Sequence, residues 1–292
     1  MFPDELKKSV ESFLTRINGT SVLINSSQAV GGGCINETYK LSSSAGNFFI
    51  KFNTATAFPG MFENEASGLK LLADTQTITI PGVIGCGEAG KQAFLLLQYI
   101  EGGISGSDFW HEFGIKLADL HKNTCDYFGL DHNNYIGSLP QSNKTHTDFI
   151  GFYISERIEP QLKAARNKGA LSQSDTRYFD SLFKSLHNII PHEKPALLHG
   201  DLWSGNFMVT KQGAPCLIDP AVYFGHRETD IAMTQLFGGF NPEFYHAYNQ
   251  AWPMEKGWQH RMNIFNLYPL LVHVNLFGGS YASQVLRIIR QF

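Results

Sequence analysis

Three oxygen-bearing side chains at fixed spacing constrain this chain more than any other feature of it. Asp201 and Asn206 lie five residues apart in His199-Gly200-Asp201-Leu202-Trp203-Ser204-Gly205-Asn206, and Asp219 follows thirteen residues later in Ile218-Asp219-Pro220. Between Asn206 and Asp219 the sequence offers two short strand-like pieces, Phe207 to Val209 and Cys216 to Ile218, around the turn Lys211-Gln212-Gly213. That pattern predicts a hairpin, and a hairpin returns its two ends to one place. Asn206 and Asp219 should therefore converge, with Asp201 beside them. Amide and carboxylate oxygens are hard donors that suit Mg²⁺, a cation that takes few protein ligands and completes its shell with phosphate and water. Asp201, if not itself bound to metal, is placed to accept a proton from a hydroxyl.

This spacing resembles the protein-kinase catalytic loop, in which an aspartate base is followed by an asparagine and later by a second, metal-binding aspartate. Gly200 stands where the usual arginine would be, and Asp219-Pro220-Ala221 replaces Asp-Phe-Gly. Those departures remove the parts through which protein kinases are switched by activation-loop phosphorylation, and they resemble the small-molecule kinases of the aminoglycoside phosphotransferase-like group. A site of this kind needs a cation on the phosphates, held by a carboxylate. Lys51 ends the strand-like Phe48-Phe49-Ile50, and Glu65 lies fourteen residues later on a predicted helix. Glu63 is the rival partner; Glu65 is chosen as the second acid of the Glu-x-Glu that precedes the helical leucines, as in kinase-like families.

The nucleotide has two further candidate contacts. In Gly31-Gly32-Gly33-Cys34-Ile35-Asn36, the backbone at Gly32 and Gly33 could approach a triphosphate without hindrance from side chains. No Gly-Lys-Ser/Thr follows, so it is not Walker A, and it opens no helix as a dinucleotide fingerprint would. Gln98, Tyr99 and Ile100 leave an apolar strand just before a glycine-rich stretch, where adenine would meet backbone groups between two lobes.

A length of 292 residues sets a prior of about two domains at roughly 150 residues each. The boundary is expected at Glu101-Gly102-Gly103 and Ser105-Gly106-Ser107, dividing a nucleotide-binding lobe, 1–100, from a catalytic and substrate-binding lobe, 101–292. The first reads as a small, mostly antiparallel sheet with one helix: strands near 21–25, 36–41, 48–52 and 94–97, with a helix over 62–73. The second reads as mainly helical, over 109–121, 150–167, 175–186 and 264–276, with Pro269 kinking or starting the last. The expected class is α+β, a bilobal protein-kinase-like fold. A net charge of −3 argues against a basic nucleic-acid-binding surface. The longest apolar stretch, Phe94 to Ile100, is far short of the roughly 20 residues of a membrane span. Four cysteines, spaced too widely for a local metal knuckle, and an acidic N-terminus unlike a signal peptide point to the cytoplasm.

Beyond the fold, the segment from His199 to Asn206 and that from Asp219 to Met233, running on to Leu236-Phe237-Gly238-Gly239-Phe240, resemble the fructosamine kinase (ketosamine 3-kinase) family. So do Met61-Phe62-Glu63-Asn64-Glu65, Asn134-Tyr135-Ile136-Gly137, Leu267-Tyr268-Pro269-Leu270-Leu271 and Asn275-Leu276-Phe277-Gly278-Gly279. The resemblance covers nearly the whole chain. It implies an ATP- and Mg²⁺-dependent kinase acting on the 3-hydroxyl of a ketosamine, a fructosamine- or ribulosamine-type adduct of an amine or a protein lysine, and hence protein deglycation. Asp201 is then the base, Asn206 and Asp219 hold Mg²⁺, Lys51 holds phosphates and Glu65 positions Lys51. Trp203 could face the sugar or pack under the loop. His226, Arg227 and Glu228 could meet the substrate or brace the loop, and Asp230 and His199 are expected to brace it. Cys34 is a candidate regulatory thiol, since some members carry cysteine there with redox-dependent dimerisation; the implied state is a monomer or a redox-dependent homodimer. Three alternatives stand beside this reading: a kinase of another hydroxylated metabolite, a non-catalytic redox-sensing module of kinase fold, and a metal-dependent hydrolase built on His199 and Asp201, which lacks a full ligand set.

Overall fold

Leu6, Val10 and Leu14 recur on one face of helix α1 (Asp4–Asn18), and all three are fully buried. The structure, a computed structural model, describes residues 2–31 and 35–292. Strands β1 (Ile24–Ala29), β2 (Glu37–Ser43) and β3 (Gly46–Thr54), helix α2 (Met61–Asp74), and strands β4 (Val83–Ala89) and β5 (Gln92–Gln98) follow. The strands make one antiparallel sheet in the order β1-β2-β3-β5-β4. Its two faces are covered by different helices. Phe94 and Leu96 pack with α1, Ile50 and Phe52, whereas Ala93, Leu95 and Leu97 pack with Phe62, Ala66 and Leu69 of α2. Burial on both faces is why β5 reads as an unbroken apolar run. Each large apolar side chain so enclosed contributes roughly 1.5–3 kcal/mol.

The described residues of Met1–Gly106 and Met208–Ile218 form one compact unit, and Ser107–Phe207 with Asp219–Phe292 form the other. In the first, the hairpin of Phe207–Val209 and Pro215–Leu217 joins the residues that follow β5 and those between α2 and β4: Gly103 N–H donates to Val209 O (2.9 Å) and Leu217 N–H to Thr79 O (3.0 Å). Helix α1 and strand β4 depart from the expected sheet with one helix. The amphipathic stripe of α1 is only three residues long, and β4 is broken by Gly85, where a Cβ would stand 2.3 Å from the Phe13 ring. The expected strand at 21–25 is instead Ile24–Ala29, a mostly polar, exposed edge strand.

The second unit begins with α3 (Phe109–His121), the β6 (Asn134–Ile136) and β7 (Leu139–Gln141) hairpin, and α4 (Phe149–Phe152). A π-helical turn, Tyr153–Ile158, leads into α5 (Glu159–Asn167), so the predicted helix 150–167 is one helical tract containing a π segment. Next come α6 (Gln173–Ile189), opened by a capping box between Ser172 and Asp175, and β8 (Ala196–Leu198). The hairpin strands already described are β9 and β10. They are followed by β11 (Tyr223–Gly225), which pairs with β8, and by α7 (Glu228–Met233), α8 (Pro242–Ala251), α9 (Trp258–Phe265), α10 (Leu267–Phe277) and α11 (Tyr281–Ile289). Pro269 lies in the first turn of α10, so the predicted 264–276 tract is a junction of two helices. Gly114 lets α3 lie directly against α8, since a Cβ there would be 2.4 Å from Phe244 O. No helix is long and apolar enough to cross a membrane among the described residues.

Candidate active site

The short β8 strand delivers the chain to His199-Gly200-Asp201. Gly200 has φ +83°, and a Cβ on it would stand 2.1 Å from Ala221 O. Only glycine fits, which is the physical reason that no arginine precedes the aspartate here. The turn is pinned from behind by Asp230 on α7, whose carboxylate accepts the N–H groups of His199 (2.7 Å) and Gly200 (2.9 Å) and contacts His121 Nε2 at 3.2 Å. Burial opposes ionisation of Asp230, but the hydrogen bond and charge of His121, with His199 and the Gly200 N–H, hold its carboxyl below the ordinary range. His199 is fully buried and its Nδ1 accepts from Asp201 N–H, so both residues brace the loop as expected. His121, at the end of α3, had no motif around it to mark it; its Nδ1 lies 2.8 Å from Tyr248 Oη.

Asn206 draws the site together. Its Nδ2 donates to Asp201 O (2.8 Å), to Asp201 Oδ2 (2.9 Å) and to Asp219 O (3.4 Å). The three residues singled out by spacing therefore do meet, because β9 and β10 close the chain between them. With its NH₂ spent on the loop, Asn206 has its amide oxygen to offer a cation. Among the described residues, no three His, Cys, Asp and Glu side chains converge as a metal cluster. One carboxylate and one amide oxygen, hard and few, fit Mg²⁺ and not a metal that requires a full protein cage. Asp219 adopts φ +55°, unusual for a residue other than glycine. Burial, with Asp219 and Asp230 nearby, pushes the Asp201 carboxyl up to about 7 against the opposing hydrogen bond from Asn206.

Lys51 and Glu65 belong to the first unit. Lys51 pairs across the ladder with Leu95, whose side chain faces α2, so the two-residue period of β3 points Lys51 at the same helix. Its Nζ lies 2.7 Å from Glu65 Oε1, and Lys51 is 3% exposed. Glu63, the rival partner, is exposed. At the end of β5, Gln98 N–H is committed to Gly82 O (2.8 Å), while Tyr99 and Ile100 lie beyond the ladder and Lys40 Nζ sits 4.4 Å from the Tyr99 ring centre. Gly32, Gly33 and Cys34 lie outside the described residues.

Trp203 is half-buried. Its ring covers Gly205, where a Cβ would be 2.4 Å away, and meets Phe237 edge-on. Of the two roles open to His226, Arg227 and Glu228, substrate contact does not fit: they are 0%, 2% and 0% exposed. Arg227 makes a two-pronged pair with Glu193, lies 3.9 Å from the Trp252 ring centre and donates to the Trp252 and Pro253 carbonyls. Glu228 accepts from Arg261 Nε (2.8 Å) and Nη2, and His226 Nε2 lies 3.2 Å from Pro191 O. Sequence proximity to Asp219 suggested the substrate; burial makes these residues scaffold. Of the cysteines expected in the core, Cys216 is buried, while Cys86 and Cys125 are half-buried.

The chain belongs to the fructosamine kinase family, whose pattern it matches over residues 6–292, and it is a phosphotransferase. It is 40% identical over 265 residues to a probable ketoamine kinase of Enterococcus faecium, covering 90% of this chain and 94% of that one. It is 38% identical over 281 residues to the chloroplastic protein-ribulosamine 3-kinase of Arabidopsis thaliana, covering 94% and 84%. A provisionally assigned fructosamine-3-kinase from Haemophilus somnus superposes with TM-score 0.88 at 31% identity, covering 97% and 96%. An aminoglycoside phosphotransferase superposes with TM-score 0.62 at 12% identity over 96% and 98%, a likeness of fold alone. The fold is α+β and protein-kinase-like.

Proposed function

We propose that this chain is an ATP- and Mg²⁺-dependent kinase that phosphorylates the 3-hydroxyl of ketosamines of the fructosamine and ribulosamine type, acting in the cytoplasm in protein deglycation. The observation that carries the reading is the Asp201–Asn206–Asp219 cluster, in a chain of this family that also pairs Lys51 with Glu65. In the proposed reaction the sugar hydroxyl oxygen attacks the γ-phosphorus, the bond to the β,γ-bridging oxygen breaks, ADP leaves and the hydroxyl proton passes to Asp201. Asn206 Nδ2 keeps the Asp201 carboxylate turned toward that proton. The Asn206 amide oxygen and the Asp219 carboxylate would hold Mg²⁺, which when bound neutralises charge on the phosphates. Lys51, oriented by Glu65, would take the phosphates, and the backbone at Tyr99 and Ile100 would take adenine. Catalysis on this scheme is alignment and charge stabilisation, with the base contributing about 10²- to 10⁴-fold.

The test is ATP consumption with Mg²⁺ and synthetic ribose- and fructose-derived ketosamines, with the phosphorylated position assigned by NMR. Turnover to a 3-phosphate, lost in Asp201→Ala, is expected. Nucleotide binding without transfer to any sugar adduct would overturn the reading in favour of a binding module.

A further inference from the structure

The segment Asn134-Tyr135-Ile136-Gly137 and the π-helical turn take no part in handling the proton or the phosphates, yet they enclose an unusual charge. Arg157, within the π-helical turn, is 1% exposed, and no carboxylate pairs with it among the described residues. Its guanidinium lies 4.0, 4.5 and 5.3 Å from the ring centres of Tyr223, Phe152 and Tyr268. A buried cation without a counter-ion is costly, and aromatic faces offset only part of that cost. π-Helical turns of this kind are found frequently at functional sites.

The hydrogen bonds of Arg157 lead toward the active site. Nη1 donates to Ser142 O, and Nη2 donates to Asn143 Oδ1 (2.7 Å). Asn143 Nδ2 donates to Asn134 Oδ1 (2.9 Å), which also accepts from Gln141 Nε2 (2.8 Å). Asn134 Nδ2 then donates to Val222 O (2.9 Å) and Gln141 Nε2 to Ala221 O (3.2 Å), while Tyr268 Oη donates to Gln141 Oε1 (2.7 Å). Ala221 and Val222 are the second and third residues after Asp219, and on its other side Ala221 N–H is held by His199 O (2.9 Å). The amides of Asn134, Gln141 and Asn143 are all buried. The backbone that sets the left-handed Asp219 is thus gripped from both sides.

We propose that Asn134 and Gln141, oriented by Arg157 through Asn143, are positioning residues that aim the Asp219 carboxylate at the cation. This rests on the reading of Asp219 as a metal ligand. Outer residues that orient a ligand typically alter metal affinity 10- to 100-fold when replaced. The test uses Mn²⁺ as probe: it is titrated into the full chain with ADP, and unbound Mn²⁺ is followed by electron paramagnetic resonance well below each variant's melting point. Asn134→Leu and Arg157→Met should weaken Mn²⁺ binding about 10-fold. Arg157→Lys keeps the charge but cannot span Ser142 O and Asn143 Oδ1 together, so it should stay weakened. Gly114→Ala, destabilised elsewhere, should bind as wild type. Should Arg157→Met not fold, the milder Asn134→Ser removes the Val222 bond and serves in its place.

Wild-type Mn²⁺ affinity in the folded Asn134 and Arg157 variants overturns the inference, and so does full restoration by Arg157→Lys. A wild-type chain that binds no Mn²⁺ with ADP overturns the metal reading and this inference together. Intact Mn²⁺ binding with the predicted weakening, but without ketosamine phosphorylation, supports the inference while refuting the proposed activity.

Discussion

At Asp201 the fold holds a carboxylate where burial and two neighbouring acids disfavour its charge, pushing it up to about 7. The folded state therefore favours the protonated form, and above that pH the ionised group works against folding. Asp201→Asn should melt no lower than wild type in calorimetry at pH 8 with chelator present, while in turnover assays with Mg²⁺ its kcat falls about 10²- to 10⁴-fold. Asp219 carries a backbone cost instead, since φ +55° disfavours a side chain by about 1–2 kcal/mol relative to glycine. Both Asp219→Ala and Asp219→Gly should lose turnover, and in chemical denaturation the glycine variant should be the more stable by about 1 kcal/mol. That Asp201, Asn206 and Asp219 share a site was legible because a short hairpin is local. The lack of room at Gly200 was not, because it follows from where the Ala221 carbonyl stands, and the left-handed twist at Asp219 leaves no mark in residue type.

Between β3 and α2, the pairing of Lys51 with Glu65 follows from two periodicities: alternate residues of β3 face α2, and Glu65 sits on the turn of α2 opposite. Glu65→Gln takes the Glu65 carboxylate away from the buried Lys51 ammonium. It should lower stability and raise the nucleotide KM, read by denaturation and by ATP titration. The packing of α3 on α8 supplies a check on the fold away from the site. Gly114→Ala drives a methyl into the Phe244 carbonyl and should destabilise by about 1–3 kcal/mol without changing the nucleotide KM. Amphipathic periodicity made α2, α3 and α6 readable. It failed at β1 and β4, since a polar edge strand and a glycine-broken one have no apolar alternation to detect.

At the scale of the whole second unit, His226, Arg227, Glu228, Glu193 and Arg261 form a buried charge network that ties the end of β11 and α7 to the chain after α6 and to α9. Burial holds His226 below its ordinary range, with Arg227 acting in the same direction and Glu193 and Glu228 opposing. Between that depressed value and about 6.5 the unfolded chain binds more protons than the folded one, so this contribution is complete above about pH 6.5 and is lost as pH falls through the folded value. The melting temperature should drop from pH 7.5 to 5.5, and His226→Phe, seated between Phe149 and Phe265, should flatten that slope by up to about 1.4 kcal/mol per pH unit. A thermal-shift series across pH checks it; equal slopes would exclude His226 as the origin. These residues had been candidates for the substrate because they follow Asp219 in the chain. Adjacency in sequence carries no information on which way a side chain points once β11 turns into α7. Residue type and short-range spacing by themselves determined the class of fold, the convergence of Asp201, Asn206 and Asp219, and the family. The tertiary structure alone decided which polar residues face the chemistry and which are enclosed as its support, because burial depends on elements that meet from distant parts of the chain.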